Sequence, residues 1–322
     1  MPSPPAATLQ AEFLQLPSAQ TLSVDDELAQ GLLQPHPSIA PKFLYDALGS
    51  KLFEAITELD EYYPTRTEAA ILARHRDAIA LACGAGHTLV DLGSGSGAKA
   101  ASLFGALRPG RYVAVDISVD FLRRALHELQ ARHPQLPMLG LGLDFSAGLE
   151  LPPQAGSGTR LMFYPGSSIG NFAPAAAVDF LRRVRAAAPG GGLLIGVDLR
   201  KPAQVLQRAY DDALGVTAAF NLNLLRHVNR LLGSDFELTQ WRHVAVFDAA
   251  RSRVEMHLEA RCDLHVRWPG GVLMRRAGER VHTENACKYS VEGFDALLRQ
   301  AGYSRTRCWT DPQGWFAVFV AH

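Results

Sequence analysis

The chain has 322 residues, 48% of them apolar and 20% charged, which is enough to bury one large core or two ordinary ones and excludes the disordered and fibrous classes. Lysine and arginine together number 32, as do aspartate and glutamate, so no global positive field draws in a polyanion. The expected substrate is a small, near-neutral molecule, and nucleic acid is not an expected partner.

The first residues, "MPSPPAATLQAEFLQLPSAQ", lack a basic start followed by an apolar run, and no later segment approaches the ~20 apolar residues of a membrane span. A cytoplasmic protein without a membrane partner is expected, with residues 1–22 as a frayed tail. From Pro41 to about Arg76, apolar residues recur at helical spacing (Phe43, Leu44, Ala47, Leu48, then Leu52, Phe53, Ile56) up to a break at Pro64. Residues 23–75 are therefore expected as short helices belonging to a substrate lobe.

Short apolar runs then alternate with helical patterns. The runs are His87 to Asp91, Tyr112 to Asp116, Met138 to Asp144, Leu161 to Tyr164 and Leu193 to Asp198. The helical patterns lie around Lys99 to Leu107, Val119 to Arg132 and Pro174 to Ala188. This alternation predicts an α/β core, residues 76–200, with a doubly wound parallel sheet. Between 201 and 285 a helical stretch gives way to alternating apolar and polar residues, with a hairpin turn at "WPGGV", as in an antiparallel α+β insertion. Residues 286–322 return to the core with a helix, Val291 to Ala301, and a closing antiparallel hairpin. Cys83, Cys262, Cys287 and Cys308 form no Cys-x-x-Cys pair and no cluster at zinc spacing, so free thiols and no metal site are expected.

The most informative stretch is "DLGSGSGAKA", residues 91–100. A phosphate loop needs G-x-x-x-x-G-K-[ST], and Gly93 followed by Ala98, Lys99 and Ala100 fails it. Gly93, Gly95 and Ala98 do satisfy the dinucleotide pattern, with Asp116 ending the next strand where a ribose-binding carboxylate belongs. Spacing alone therefore leaves a nicotinamide enzyme and a methyltransferase both open. Asp91 beside the glycines suits a cationic sulfonium and its ammonium better than a pyrophosphate. Asp144-Phe145, after the third strand, offers an acceptor for an adenine amino group and a flat face for its ring. Each acid alone would pass for a helix cap; their repetition at strand ends, where open sheets bind ligands, favours S-adenosyl-L-methionine.

On the acceptor side, "YPGSSIGNF", residues 164–172, follows the fourth strand. Gly166 permits close approach, and Asn171 both donates and accepts. The Asn-Pro-Pro-aromatic motif that holds a flipped base occupies the same place in nucleic-acid methyltransferases, but "NFAP" has the wrong order. Tyr45, Tyr62 and Tyr63 would by composition pass for core filler, and Glu284 in "HTENACKYS" for a capping residue.

Six stretches occur together in one order: "FLYDALGSKLFEAITELDEYYPTRTEAAIL", "VDLGSGSGAKA", "LDFS", "GSSIGNF", "AYDDALGVTAAFN" and "HTENACKYS". From about Pro41 to the C-terminus the chain resembles the histidine Nα-methyltransferase family of ergothioneine biosynthesis. That resemblance implies a Rossmann-like class I methyltransferase core and stepwise methylation of L-histidine to Nα,Nα,Nα-trimethyl-L-histidine, hercynine. It assigns Tyr45, Gly93, Lys99, Asp116, Asp144 and Phe145 to the cofactor, with Lys99 toward its methionyl carboxylate. Tyr62, Gly166, Asn171, Tyr210, Glu284 and Ala286 fall to histidine, Asn171 and Tyr210 toward the carboxylate and Glu284 toward the imidazole. Ala286 stands where the family often has serine, which keeps open another free amino acid or a histidine derivative. A non-catalytic metabolite-binding protein would use the same pocket. No dedicated catalytic base is assigned, and a monomer is expected.

Overall fold

The computed structural model describes residues 9–16 and 22–322. Its strands are β1 (Glu12–Gln15), β2 (Thr88–Leu92), β3 (Arg111–Asp116), β4 (Met138–Gly142), β5 (Arg160–Tyr164), β6 (Gly192–Asp198), β7 (Trp241–Asp248), β8 (Arg253–Ala260), β9 (Leu264–Trp268), β10 (Gly271–Arg275), β11 (Arg280–Cys287), β12 (Thr306–Thr310) and β13 (Phe316–Ala321). Its helices are α1 (Val24–Leu32), α2 (Ala47–Thr57), α3 (Tyr63–Arg74), α4 (Arg76–Cys83), α5 (Ala98–Leu107), α6 (Val119–Arg132), α7 (Pro174–Ala187), α8 (Ala203–Tyr210), α9 (Val216–Leu232) and α10 (Val291–Gln300).

The central sheet runs β1-β4-β3-β2-β5-β6-β13-β12. Pairings among β1 to β6 are parallel, whereas β13 lies antiparallel between β6 and β12. This is the expected doubly wound α/β core with its terminal antiparallel hairpin. From β2 the chain winds outward through β3 to β4, then crosses back to β5 on the other side of β2. The crevice beyond the C-terminal ends of β2 and β5 is thus the switch point where open sheets bind ligands.

The strands are apolar throughout because both faces are covered. Val90, Val113, Leu139, Met162 and Ile195 pack under α7 and α10, while Leu89, Tyr112, Ala114, Leu161 and Phe163 pack under α4, α5 and α6. A separate core joins α1, α2, α8 and α9 to the sheet β11-β8-β7 and the β9–β10 ribbon, which turns at the expected Pro269-Gly270. Helix α3 divides its packing: Tyr63 belongs to this second core, and Ile71 and Leu72 lie on the central sheet. The changeover between the two cores therefore runs through α3, short of the boundary expected near residue 75.

The frayed tail expected over residues 1–22 does not hold for 9–16, because Glu12–Gln15 adds to the sheet edge parallel to β4. A Cβ at Gly140 would stand 2.6 Å from Phe13 Cδ2, so the bare glycine leaves a groove that this ring fills. The Arg123 guanidinium covers its other side, 3.8 Å from the ring centroid. The rest of that stretch, residues 1–8 and 17–21, lies outside the described residues.

Behind Phe145, Phe180 of α7 is fully buried; Phe172 stacks on it at 4.9 Å, and Tyr164 sits 5.0 Å away. Truncating it leaves a cavity that rigid neighbours cannot fill. Phe180→Ala is expected to cost about 3–5 kcal/mol of stability in a urea titration, and a loss below about 1 kcal/mol would contradict this packing.

Candidate active site

Beyond β2 the backbone turns through Gly93, Gly95 and Gly97 at φ +70°, +51° and +69°, a left-handed run that only glycine adopts without strain. Gly97 also comes close to β3, since a Cβ there would stand 3.1 Å from Tyr112 Oη. Asp116, at the end of β3, fixes the turn by accepting from Gly95 N at 3.0 Å and Ser118 N at 2.9 Å. Burial raises its pKa against the pull of those amides. Beneath the loop Asp91 is 1% exposed, and its Oδ2 accepts from Tyr112 Oη at 2.8 Å. Burial pushes its carboxyl up to about 7, and its Oδ1 is buried with no partner among the described residues. An orphaned acceptor in that position is matched to a cationic donor, as the methionyl ammonium of S-adenosylmethionine would be.

Across the loop a Cβ at Gly93 would stand 3.7 Å from the Phe145 ring, so glycine leaves a slot against an aromatic face. Asp144 is tied down: Lys42 Nζ reaches its Oδ2 at 3.1 Å while also pairing with Glu27 at 2.7 Å, and Ser146 N donates to its Oδ1 at 3.0 Å. Lys99, in the first turn of α5, pairs with Glu68. Both oxygens of Glu68 lie 3.0 Å from Gly166 N, so one buried carboxylate holds Lys99 and the loop after β5 together. Sequence reasoning missed Glu68. Its signal was a carboxylate on the same α3 stripe as Ile71 and Leu72, at i, i+3 and i+4.

A small cavity opens beside Gly166. Tyr45, Tyr62, Gly166, Asn171, Tyr210, Glu284 and Ala286 all line it. The expected acceptor residues are thus gathered in one place, though they come from five stretches of chain. Gly93, Asp116, Asp144 and Phe145 stay outside it, around the glycine loop. Tyr45 stands between the two groups: its ring faces the cavity, and its backbone carbonyl accepts from Ser118 Oγ, just beyond Asp116, at 2.6 Å.

Local structure explains why these side chains converge. In β11 the register with β8 slips between His282 and Glu284. The bulge turns Glu284 and Ala286 inward, while Thr283 Oγ1 donates to Met256 O at 3.0 Å. Ser167 at φ +60° is strained for a non-glycine residue and starts the short 3-10 turn Ser168–Asn171. That turn brings Asn171 Nδ2 to within 3.2 Å of Glu284 Oε1.

Burial pushes the Glu284 carboxyl up to about 7, with Lys288 and Asn171 pulling the other way. Burial also raises the phenols of Tyr45, Tyr62 and Tyr210 well above their ordinary range. All three are therefore neutral at physiological pH. The cavity presents a titratable carboxyl, an amide, phenol groups and aromatic faces, a set suited to a small zwitterion carrying a ring. Among the described residues no group of three or more His, Cys, Asp or Glu could hold a metal ion.

Comparison with known proteins shows the family. Residues 24–322 match the model of a family described as "Histidine-specific methyltransferase, SAM-dependent". The chain is 42% identical over 302 residues to a histidine N-alpha-methyltransferase of Mycolicibacterium smegmatis, covering 92% of this chain and 93% of that protein. It is 39% identical over 309 residues to one from Mycobacterium tuberculosis, covering 93% and 95%. The "Ergothioneine biosynthesis protein 1" of Neurospora crassa is 33% identical over 277 residues, 83% of this chain but 31% of that longer protein. The chain belongs to the family of histidine-specific, S-adenosylmethionine-dependent methyltransferases.

Proposed function

We propose that the chain holds S-adenosyl-L-methionine over the glycine loop and L-histidine in the tyrosine-lined cavity, and converts histidine stepwise to hercynine in ergothioneine biosynthesis. The observation that carries this reading is the buried Glu284 carboxyl and its Asn171 partner in a small cavity that meets the glycine-loop crevice at Gly166. The names of the mycobacterial and fungal relatives support the same substrate and pathway. The reading takes the protein as a cytoplasmic monomer acting on free histidine, without nucleic acid or membrane; the balanced charge fits a small zwitterion better than a polyanion, and among the described residues no helix is long and apolar enough to cross a membrane.

In this reading Asp91 and Lys99 receive the methionyl ammonium and carboxylate, Asp116 the ribose, and Asp144 with Phe145 the adenine. The cofactor supplies a methyl group on a sulfonium, activated for in-line displacement by an amine. The protein's part is alignment and exclusion of water. Asn171 and Tyr210 take the substrate carboxylate, Tyr62 flanks the amine, and Glu284 takes the imidazole. The α-amino group must lose a proton before each transfer. Phenols held neutral by burial do not serve as ready bases, so no side chain is given that role and the proton goes to solvent. Tyrosine faces around the nitrogen favour the fixed cation of the final product.

The decisive experiment incubates the protein with S-adenosylmethionine and each free amino acid, read by mass spectrometry. Histidine is expected to give mono-, di- and trimethylated products. Because Ala286 offers no hydroxyl to the imidazole, methylation of another amino acid with histidine untouched would replace this reading.

Glu284 gives a pH signature. The amide of Glu284→Gln mimics the protonated acid, so the variant should bind histidine about 1–3 kcal/mol more weakly where the wild-type carboxylate is ionised. As pH falls through about 7 the wild-type carboxyl takes up its proton, and the two affinities should converge. Calorimetric curves that stay parallel across that pH would remove Glu284 from imidazole recognition.

Glu68 couples the two pockets. Glu68→Ala releases Lys99 and strands Gly166 N, and is expected to weaken both S-adenosylhomocysteine and histidine by about 1–3 kcal/mol. Lys99→Ala should weaken S-adenosylhomocysteine alone. Unchanged histidine binding in Glu68→Ala would disprove the coupling.

A further inference from the structure

Below the cavity lies a buried charge cluster that no residue assignment above uses. Asp198, at the end of β6, accepts from Lys201 Nζ on Oδ1 at 2.5 Å. Its Oδ2 accepts from Tyr63 Oη at 2.7 Å and lies 2.7 Å from Lys288 Nζ. Lys201 also donates to Tyr63 Oη at 2.8 Å. The side chains of both lysines and of the aspartate are 1–2% exposed. Burial lowers Lys201 to about 8, which leaves it mostly charged at neutral pH. Two ammonium groups thus share the Asp198 carboxylate, with Asp311 acting on Lys201 and Glu284 on Lys288 as further countercharges.

Lys288 follows Ala286 by two residues, just past β11, and is the member of the cluster that reaches the cavity wall. Its Nζ donates to Tyr210 Oη at 2.9 Å. An ammonium only donates, so the phenol oxygen accepts and its own proton must point elsewhere. Tyr210 Oη finds no acceptor for that proton among the described residues, and Tyr210 lines the cavity. The backbone of Tyr210 is fixed as well. Asn221 Nδ2 lies 2.9 Å from His243 Nδ1, which makes that nitrogen the acceptor and leaves Nε2–H to donate to Tyr210 O at 2.8 Å.

The geometry points to Lys288 as a positioning residue: anchored on Asp198, it turns the Tyr210 hydroxyl into an oriented donor for the α-carboxylate of the acceptor amino acid. The inference rests on the histidine-binding reading above and deepens it. A carboxylate can accept from that hydroxyl and an amine lacking one cannot, so the site selects amino acids over such amines. Direct and charge-assisted hydrogen bonding act in series, since Lys288 touches the phenol and the phenol touches the ligand.

The test compares histidine with histamine, which keeps the amine and the imidazole but has no carboxylate. Calorimetry on the full-length wild type, Lys288→Met, Tyr210→Phe and the double variant gives both affinities, with S-adenosylhomocysteine as a control. Lys288→Met and Tyr210→Phe are each expected to weaken histidine about tenfold. Histamine and S-adenosylhomocysteine should stay within about twofold, and the double variant should be no worse than the weaker single one. Lys288→Arg should recover part of the preference for histidine over histamine. Parallel losses for histidine and histamine, or additive losses in the double variant, would overturn the inference. If Lys288→Met does not fold, Tyr210→Phe and Lys288→Arg still decide: Tyr210→Phe must lose histidine affinity selectively, and Lys288→Arg must lie between it and the wild type. A wild type that binds no histidine would instead sink the functional reading itself.

Discussion

The buried carboxylate of Glu68 is the contact on which the arrangement depends. It sits where α3 crosses the C-terminal end of the central sheet, and it exists there because β6 offers no side chain beneath it: a Cβ at Gly196 would stand 1.8 Å from its Oε1. A charge in that position is stable only while paired and hydrogen-bonded. Lys99 and Gly166 N supply those partners. The first belongs to the helix that follows the glycine turn, the second to the loop that lines the tyrosine-walled cavity. One carboxylate therefore ties the two pockets together.

Around that contact, each core supplies what the other lacks. The doubly wound sheet gives a rigid rim with backbone amides and carboxylates, but on its own the crevice would stay open to water. The second core contributes aromatic walls and the bulged strand β11. Tyr45 and α3 belong to both, which explains why the N-terminal helices pack in two directions. Transfer of a methyl group between small molecules needs such a closed junction, since orientation and exclusion of water are most of what the protein can add.

Much of this was legible in the sequence. Strands buried on both faces appear as unbroken apolar runs, so β2 to β6 fall close to their expected bounds, and the left-handed glycines of the turn mark the loop. Asn171 stood out by its place after the fourth strand, whereas the tyrosines and Glu284 were reached through resemblance, because singly each looks like filler or a cap. Strand β1 was missed because its place is set by a glycine groove in β4, far away in sequence. Glu68, Asp198 and Lys288 were missed for a shared reason. Charged residues in a sequence resemble surface residues, and only tertiary pairing reveals which of them are buried. The bulge after His282 was equally silent, since a register slip leaves no compositional trace.

The placement of β13 between β6 and β12 has a consequence for the order in which the molecule is built. The sheet cannot be completed until the last residues of the chain have been made, whereas β2 to β6 and the glycine turn need only the first two thirds. The tyrosine-lined cavity draws on Tyr45 near one end and Ala286 near the other, so its walls meet late as well. During synthesis the chain passes through a stage with a nearly finished glycine-loop crevice, an unpaired β6 edge and no tyrosine-lined cavity. That edge is apolar and exposed until the C-terminal hairpin closes it, which makes this the stage at which the nascent protein is most open to aggregation.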